Sequence, residues 1–219
     1  MEEEHEVHED IEQEPWWRGP IKWIMAIFLL LLVVLWLVPS YSIKIDPAPN
    51  YIPTISEVVP EFSLNLTKHN VTNKYDFLEL IDPTDPLIKQ TADRVSVMGC
   101  PTNRVCHAKA LYYFIRDNFN YVSDPNEFEY VKTAKESLSV QGGDCDDAAV
   151  LLATLLEAIG VNTRLVFIPR HVYVQAYLPD ALKSYKSMDH WVDLDATCRN
   201  CRFGEIPFKN LGKEKVYVE

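Results

Sequence analysis

The chain has no basic stripe. Its 219 residues hold 21 Lys or Arg against 32 Asp or Glu, a formal net charge of −11. Nowhere do Lys and Arg cluster densely enough to neutralise a run of phosphates, which excludes a nucleic-acid binder. No internal repeat is present, and the long polar tracts of a wholly disordered chain are missing too: 47% of residues are hydrophobic and 11% aromatic. The charge that is present is uneven. Residues 1–19 carry eight carboxylates (Glu2, Glu3, Glu4, Glu6, Glu9, Asp10, Glu12 and Glu14) and one Arg, hence −7, leaving −4 for the other 200 residues.

From Trp23 to Val38 sixteen residues, WIMAIFLLLLVVLWLV, carry no charge. Widening the window to residues 21–41 admits only Lys22, close enough to the end to snorkel. A bilayer core takes ~20 apolar residues in helix, so this segment predicts one span. Trp16, Trp17, Trp23, Trp36 and Tyr41 stand near its ends, where amphipathic rings favour the interface. A cleaved signal peptide is the rival. The long acidic region before it and the poor small-x-small site at Pro39-Ser40-Tyr41-Ser42 argue for an uncleaved anchor. Arg18 and Lys22 before the span outweigh Lys44 after it, which places the N-terminus in the cytoplasm and the C-terminal domain outside. The sequons Asn65-Leu-Thr67 and Asn70-Val-Thr72 agree with an external domain.

Four prolines between residues 46 and 60 read as part of an extended stalk over 42–74. The expected organisation is an acidic tail (1–20), a transmembrane helix (21–41), the stalk, and a globular domain of residues 75–219, large enough for one filled core. Asp82-Pro-Thr-Asp-Pro86 opens a helix expected over Leu87–Val97. A second is expected over Thr102–Phe119, where Val105, Ala108, Tyr112, Ile115 and Phe119 share a face. Gly142-Gly143-Asp144 leads into a third helix, with Ala148, Ala149, Leu152, Leu155, Leu156 and Ile159 buried and Gly160 at its C-terminal cap. Three β-rich segments follow: Thr163–Ile168, His171–Leu178 and His190–Asp195. Helices first, then an antiparallel-type sheet, give an α+β layout.

Cys145 opens the third helix after two glycines. Free first-turn N–H groups and the helix dipole there favour a thiolate, and the same N–H groups suit an oxyanion. A thiol nucleophile needs a base and a group that orients the base. His171 begins the second strand and Asp195 ends the third, so antiparallel pairing sets them side by side. His190 is the rival base and Asp193 the rival orienter. Asp144, Asp146 and Asp147 lack the spacing and turn glycine of a calcium loop and read as a charge complement to the helix N-terminus. As anions beside a thiol they raise its pKa, which an imidazolium at His171 would have to offset.

The segments GGDCDDAAVLLATLLEAIGVNTR, HVYVQAYL and WVDLDAT resemble the core of the transglutaminase-like superfamily, closest to small membrane-anchored archaeal members. The resemblance spans roughly residues 85–205. It implies a papain-like α+β fold with Cys145, His171 and Asp195 as the catalytic set. The implied activity is attack on a carboxamide or peptide bond of a protein at the cell surface, through a thioester resolved by water (protease or amidase) or by an amine (cross-linking). Tyr173 stands where the pattern has Trp, and Ala196 where it has Pro. The non-enzyme alternative is a cell-surface binding or scaffold module that kept the fold.

Setting Cys145 aside leaves Cys100, Cys106, Cys198 and Cys201 in two close pairs. Outside the cell two disulfides are the default, clamping the first helical region to the segment after Asp195. The alternative is a structural zinc site on the same four sulfurs, since Cys198-Arg-Asn-Cys201-Arg-Phe-Gly204 has the look of a zinc knuckle. Catalysis itself is expected to need no cofactor.

Overall fold

The computed structural model describes residues 19–42, 46–60, 67, 69, 71–123 and 130–219, without the side chains of 38–42. The acidic tail and the sequon residues Asn65 and Asn70 lie outside the described residues. Two compact units result, residues 1–45 and 46–219. In the first, Ile21–Ser42 form one helix, α1, and the side chains of residues 21–37 are exposed. Among the described residues no helix is long and apolar enough to cross a membrane.

In the second unit the stalk expectation is corrected for residues 46–59, which pack on the domain. The Asp46 carboxylate accepts from Lys109 Nζ and Tyr185 OH. Asn50 N–H donates to the Gly99 carbonyl (2.9 Å). Ile55–Val58 form a single helical turn, α2, whose Ile55 and Val58 are buried. Burying Ile55, Val58 and Val59 outweighs the extending tendency of the prolines around them.

Helix α3, Pro86–Gly99, starts where the Asp85 carboxylate accepts from the N–H groups of Leu87 and Ile88, with Pro86 in the first turn. Helix α4, Arg104–Asn118, is capped in the same way by Asn103. Helix α5, Ala134–Val140, is an addition to the sequence reading; its signal is the capping box Thr133-x-x-Glu136. These pack around α6, Cys145–Ala158. Leu151, Leu152, Leu155 and Leu156 are all fully buried, so α6 is the central element rather than a one-sided surface helix.

The main sheet contains β3 (Thr163–Ile168), β4 (His171–Tyr177), β5 (Lys186–Met188), β6 (Trp191–Leu194) and β7 (Val216–Val218). Their order is β5-β6-β4-β3-β7, antiparallel throughout. α6 lies against β4 and β3, so its N-terminus approaches the end of the sheet where β4 begins. The short strands β1 (Asn120–Tyr121) and β2 (Gly142–Gly143) pair in parallel and steer the chain into α6. A Cβ on Gly143 would collide with the Asp147 carboxylate, and one on Gly142 would come within 2.8 Å of the Asn120 carbonyl oxygen. Both positions need glycine for close approach.

The four remaining cysteines form the disulfides Cys100–Cys106 and Cys198–Cys201. The expected clamp between the two regions is corrected: each bond closes a loop within its own pair. The clamp is made by hydrogen bonds, since Tyr112 OH and Arg116 Nη1 donate to the Cys201 carbonyl at 3.2 and 3.0 Å. Cysteines bonded pairwise offer no thiolates for the alternative zinc site. Loops this short contribute about 2 kcal/mol each by the chain-entropy model. Reductant is therefore expected to lower the melting temperature by on the order of 10 °C, and a chelator to leave it unchanged; the opposite pattern in a thermal melt would establish metal.

Candidate active site

The position of Cys145 is set by the residues around it in sequence. The Asp144 carboxylate accepts from the N–H groups of Asp146 (3.0 Å) and Asp147 (3.4 Å). Asp147 returns a carboxylate oxygen to the Asp144 N–H (3.2 Å), closing a capping box. The same fully buried Asp147 accepts from Lys132 N–H and Lys132 Nζ, both at 2.7 Å. The expectation that all three aspartates complement the helix N-terminus thus needs dividing. Asp144 is the cap, Asp147 a buried strut, and Asp146 accepts from the thiol, whose Sγ donates to it at 3.4 Å.

Burial first, then the charges of Asp146 and Asp144, push the Cys145 thiol up to about 12, against a weaker contribution from the Val172 N–H, which donates to the sulfur. The expected lowering by the helix dipole is therefore overturned. The dipole is already complemented by carboxylates, and what the thiol meets is a half-buried site with two anions. The Val172 bond matters for geometry, because it places the sulfur beside the first residues of β4.

His171 opens β4, and its Nε2 lies 2.8 Å from Oδ2 of Asp195. Asp195 is 1% exposed, and its other oxygen accepts from Thr197 N–H (3.1 Å) and Thr197 Oγ1 (2.7 Å). With both carboxylate oxygens engaged, Nε2 carries the proton in that bond and Nδ1 is the ring nitrogen left for exchange. Antiparallel register explains the meeting: Val174 pairs with Leu194, so the start of β4 and the residue after β6 come together.

Cys145 and His171 line one cleft of about 570 Å³, with Phe77 and Phe167 among its apolar walls. Cys145 also shares a small cavity with Val172, Asp195 and Thr197. The rivals lie elsewhere. His190 stacks edge-on against Tyr177. Asp193 accepts from Gln175 Nε2 at 2.6 Å and sits 3.8 Å from Lys215 Nζ. Sequence reasoning missed Thr197 and Lys132. Thr197 was in the quoted WVDLDAT segment, and an Asp two residues before a Thr is an Asx-turn signal; Lys132 had no local signal. Oxygen and sulfur atoms of Asp144, Cys145 and Asp146 lie within 4.8 Å of one another, but two partly exposed carboxylates assign no metal by themselves.

Residues 89–196 match the family model of the transglutaminase-like superfamily. No curated protein matches the chain. Among solved structures, Legionella pneumophila LapG is 18% identical, over 60% of this chain and 72% of that one, with a TM-score of 0.45. Its EGTA-treated form is 15% identical over 78% and 84%, also at 0.45. A candidate cysteine protease of Cytophaga hutchinsonii is 17% identical over 65% of this chain, with a TM-score of 0.43, and this chain spans 47% of its length. The family match carries the superfamily and not the narrower likeness to archaeal members.

The two kinds of aspartate separate by experiment. Asp146→Asn removes the anion nearest the thiol, so alkylation of Cys145 by iodoacetamide at pH 7.5 should rise about tenfold for each pKa unit lost, with little change in melting temperature. Asp147→Ala strands Lys132 in the interior and should cost about 3–5 kcal/mol of stability in denaturant titration. Equal effects on both readouts would contradict this division.

Proposed function

We propose, from the match of residues 89–196 to the transglutaminase-like superfamily, that the chain is a thiol acyl-transfer enzyme acting on carboxamide or peptide bonds of proteins. The observation that carries this reading is the His171–Asp195 bond of 2.8 Å beside the free thiol of Cys145. Sγ of Cys145 attacks the carbonyl carbon while Nδ1 of His171 takes its proton. Because burial and the neighbouring aspartates push the resting thiol up to about 12, proton transfer accompanies attack rather than preceding it. Asp195 stabilises the imidazolium and holds it in place. The Asp144 side chain occupies the Asp146 and Asp147 N–H groups, leaving that of Cys145 as the first-turn donor to the oxyanion. His171 then protonates the departing amine, leaving a thioester. Water resolves it in a protease or amidase, and an amine in a cross-linker.

The proposed setting is a single-span anchor with the N-terminus in the cytoplasm and the enzyme outside, acting on cell-surface proteins or peptides. Its support is the Arg18 and Lys22 bias, the exposed apolar side chains of Ile21 to Leu37, and two disulfides, which persist in oxidising compartments. The raised thiol pKa favours the second reading, a silent surface module with the same fold. The Val172 N–H bond to sulfur and the oriented imidazole favour the enzyme.

Full-length chain incubated with casein and a fluorescent primary amine separates the outcomes: fragments mean hydrolysis, and fluorescent casein means transamidation. Cys145→Ala should abolish either product. Asp195→Asn should cut the rate by roughly 10²–10⁴-fold, because an amide cannot serve both Thr197 donors and His171 as the carboxylate does. His190→Ala should change nothing. Turnover surviving Cys145→Ala, or equal losses at His190 and His171, would sink the assignment. On intact cells, external protease should digest the domain and spare the tail.

A further inference from the structure

The cleft continues beyond the thiol. A second hollow of about 700 Å³ shares Tyr121, Arg170 and His171 with the first, so the two adjoin at the imidazole. Their chemistry differs. The first has apolar walls from Phe77, Phe167 and Ile168, and its cations Lys74 and Arg170 are matched by the carboxylates Asp144 and Asp146 at the nucleophile. The second is faced by Arg170, Lys209 and Lys213. The one carboxylate lining it, Asp195, is committed to His171 and Thr197. Among the described residues Arg170 and Lys209 enter no ion pair, and Lys213 Nζ donates to the neutral Asn210 side chain at 2.7 Å. In a chain of net charge −11, three cations gathered on one hollow without a free carboxylate run against the average.

Arg170 sits there against its backbone preference. Ile168 and His171 pair at the end of the β3–β4 hairpin, so Pro169 and Arg170 form the turn. Arg170 has a φ of 61°, and the position after a turn proline with positive φ is where glycine or asparagine is favoured. An arginine there places a guanidinium at the junction of the two hollows, one residue from the imidazole.

From this placement, and resting on the acyl-transfer reading above, we infer that the second hollow is a subsite for acidic side chains, with Arg170 the specificity-determining residue. The substrate class is a polypeptide carrying Asp or Glu on one side of the reacting carbonyl and apolar residues on the other. A guanidinium takes a carboxylate in two parallel hydrogen bonds, and Lys209 and Lys213 add point charges that focus the field in a concave site. Distant negative charge on the chain does not oppose this, because beyond a Debye length of ~8 Å it is screened at physiological salt.

The test is cleavage-site profiling of the full chain on a library of peptides of known sequence, with cleaved bonds read by mass spectrometry. Asp and Glu should be enriched on one side of the cleaved bonds. For a matched pair of peptides differing only by Glu→Gln at the enriched position, kcat/KM should favour Glu by about tenfold, the scale of one charge-assisted hydrogen bond. Arg170→Gly should collapse that ratio toward one, chiefly through KM, without lowering the melting temperature, since glycine suits the turn. Cleavage with no acidic enrichment, or a Glu-to-Gln ratio unchanged in Arg170→Gly, would overturn the inference and leave the acyl-transfer reading standing. If no peptide is cleaved, hydrolysis fails and the subsite is tested alone, by the relative rates at which iodoacetate and iodoacetamide alkylate Cys145. That ratio should fall in Arg170→Gly; an unchanged ratio would overturn the subsite.

Discussion

The buried carboxylate of Asp147 fixes the geometry on which the site depends. It caps Asp144, takes both the N–H and the ammonium of Lys132, and fills the space that glycine leaves at position 143. Three chain segments therefore meet at one side chain: the approach to α5, the two-residue strand β2, and the first turn of α6. Removing one partner of such a buried pair leaves the other charged and unsolvated. The Cys145 sulfur inherits its position from this arrangement, since it begins the helix that Asp147 anchors.

The same chemistry sets a conflict. Aspartates suit the start of a helix, yet burial and, after it, Asp146 and Asp144 push the pKa of the Cys145 thiol up. The structure meets this by placing the sulfur beside β4, where Val172 N–H reaches it, and by orienting the neighbouring imidazole through Asp195. Thr197 completes that support by occupying the second Asp195 oxygen, and Tyr112 OH reaches the Asp195 carbonyl at 3.4 Å from α4. On the proposed reading, proton acceptance at the moment of attack replaces a preformed ion pair.

Long periodic elements were legible in the sequence. Apolar spacing and caps located α3, α4 and α6 to within a few residues, and β3 at its observed bounds. The pairing of His171 with Asp195 was expected from strand order together with the family resemblance, with His190 and Asp193 as rivals. What was not legible depends on distant partners. Residues 46–59 carry prolines that suggest a stalk, and only the buried Ile55 and Val58 reveal that they pack. Strand β7, three residues long, exists because β3 offers it an edge. The disulfide pairing turned on distances between cysteines that spacing does not give. The thiol pKa turned on burial, which a local reading of a helix N-terminus does not contain.

The central claim is that Asp195 fixes the His171 proton on Nε2 and leaves Nδ1 to accept the proton of Cys145. Nitrogen-15 NMR of imidazole-labelled full-length chain reads this directly. Near neutral pH the His171 ring should show a protonated Nε2 and an unprotonated Nδ1, and Asp195→Asn should weaken that preference. A ring protonated on Nδ1, or one whose tautomer is indifferent to residue 195, would contradict the account.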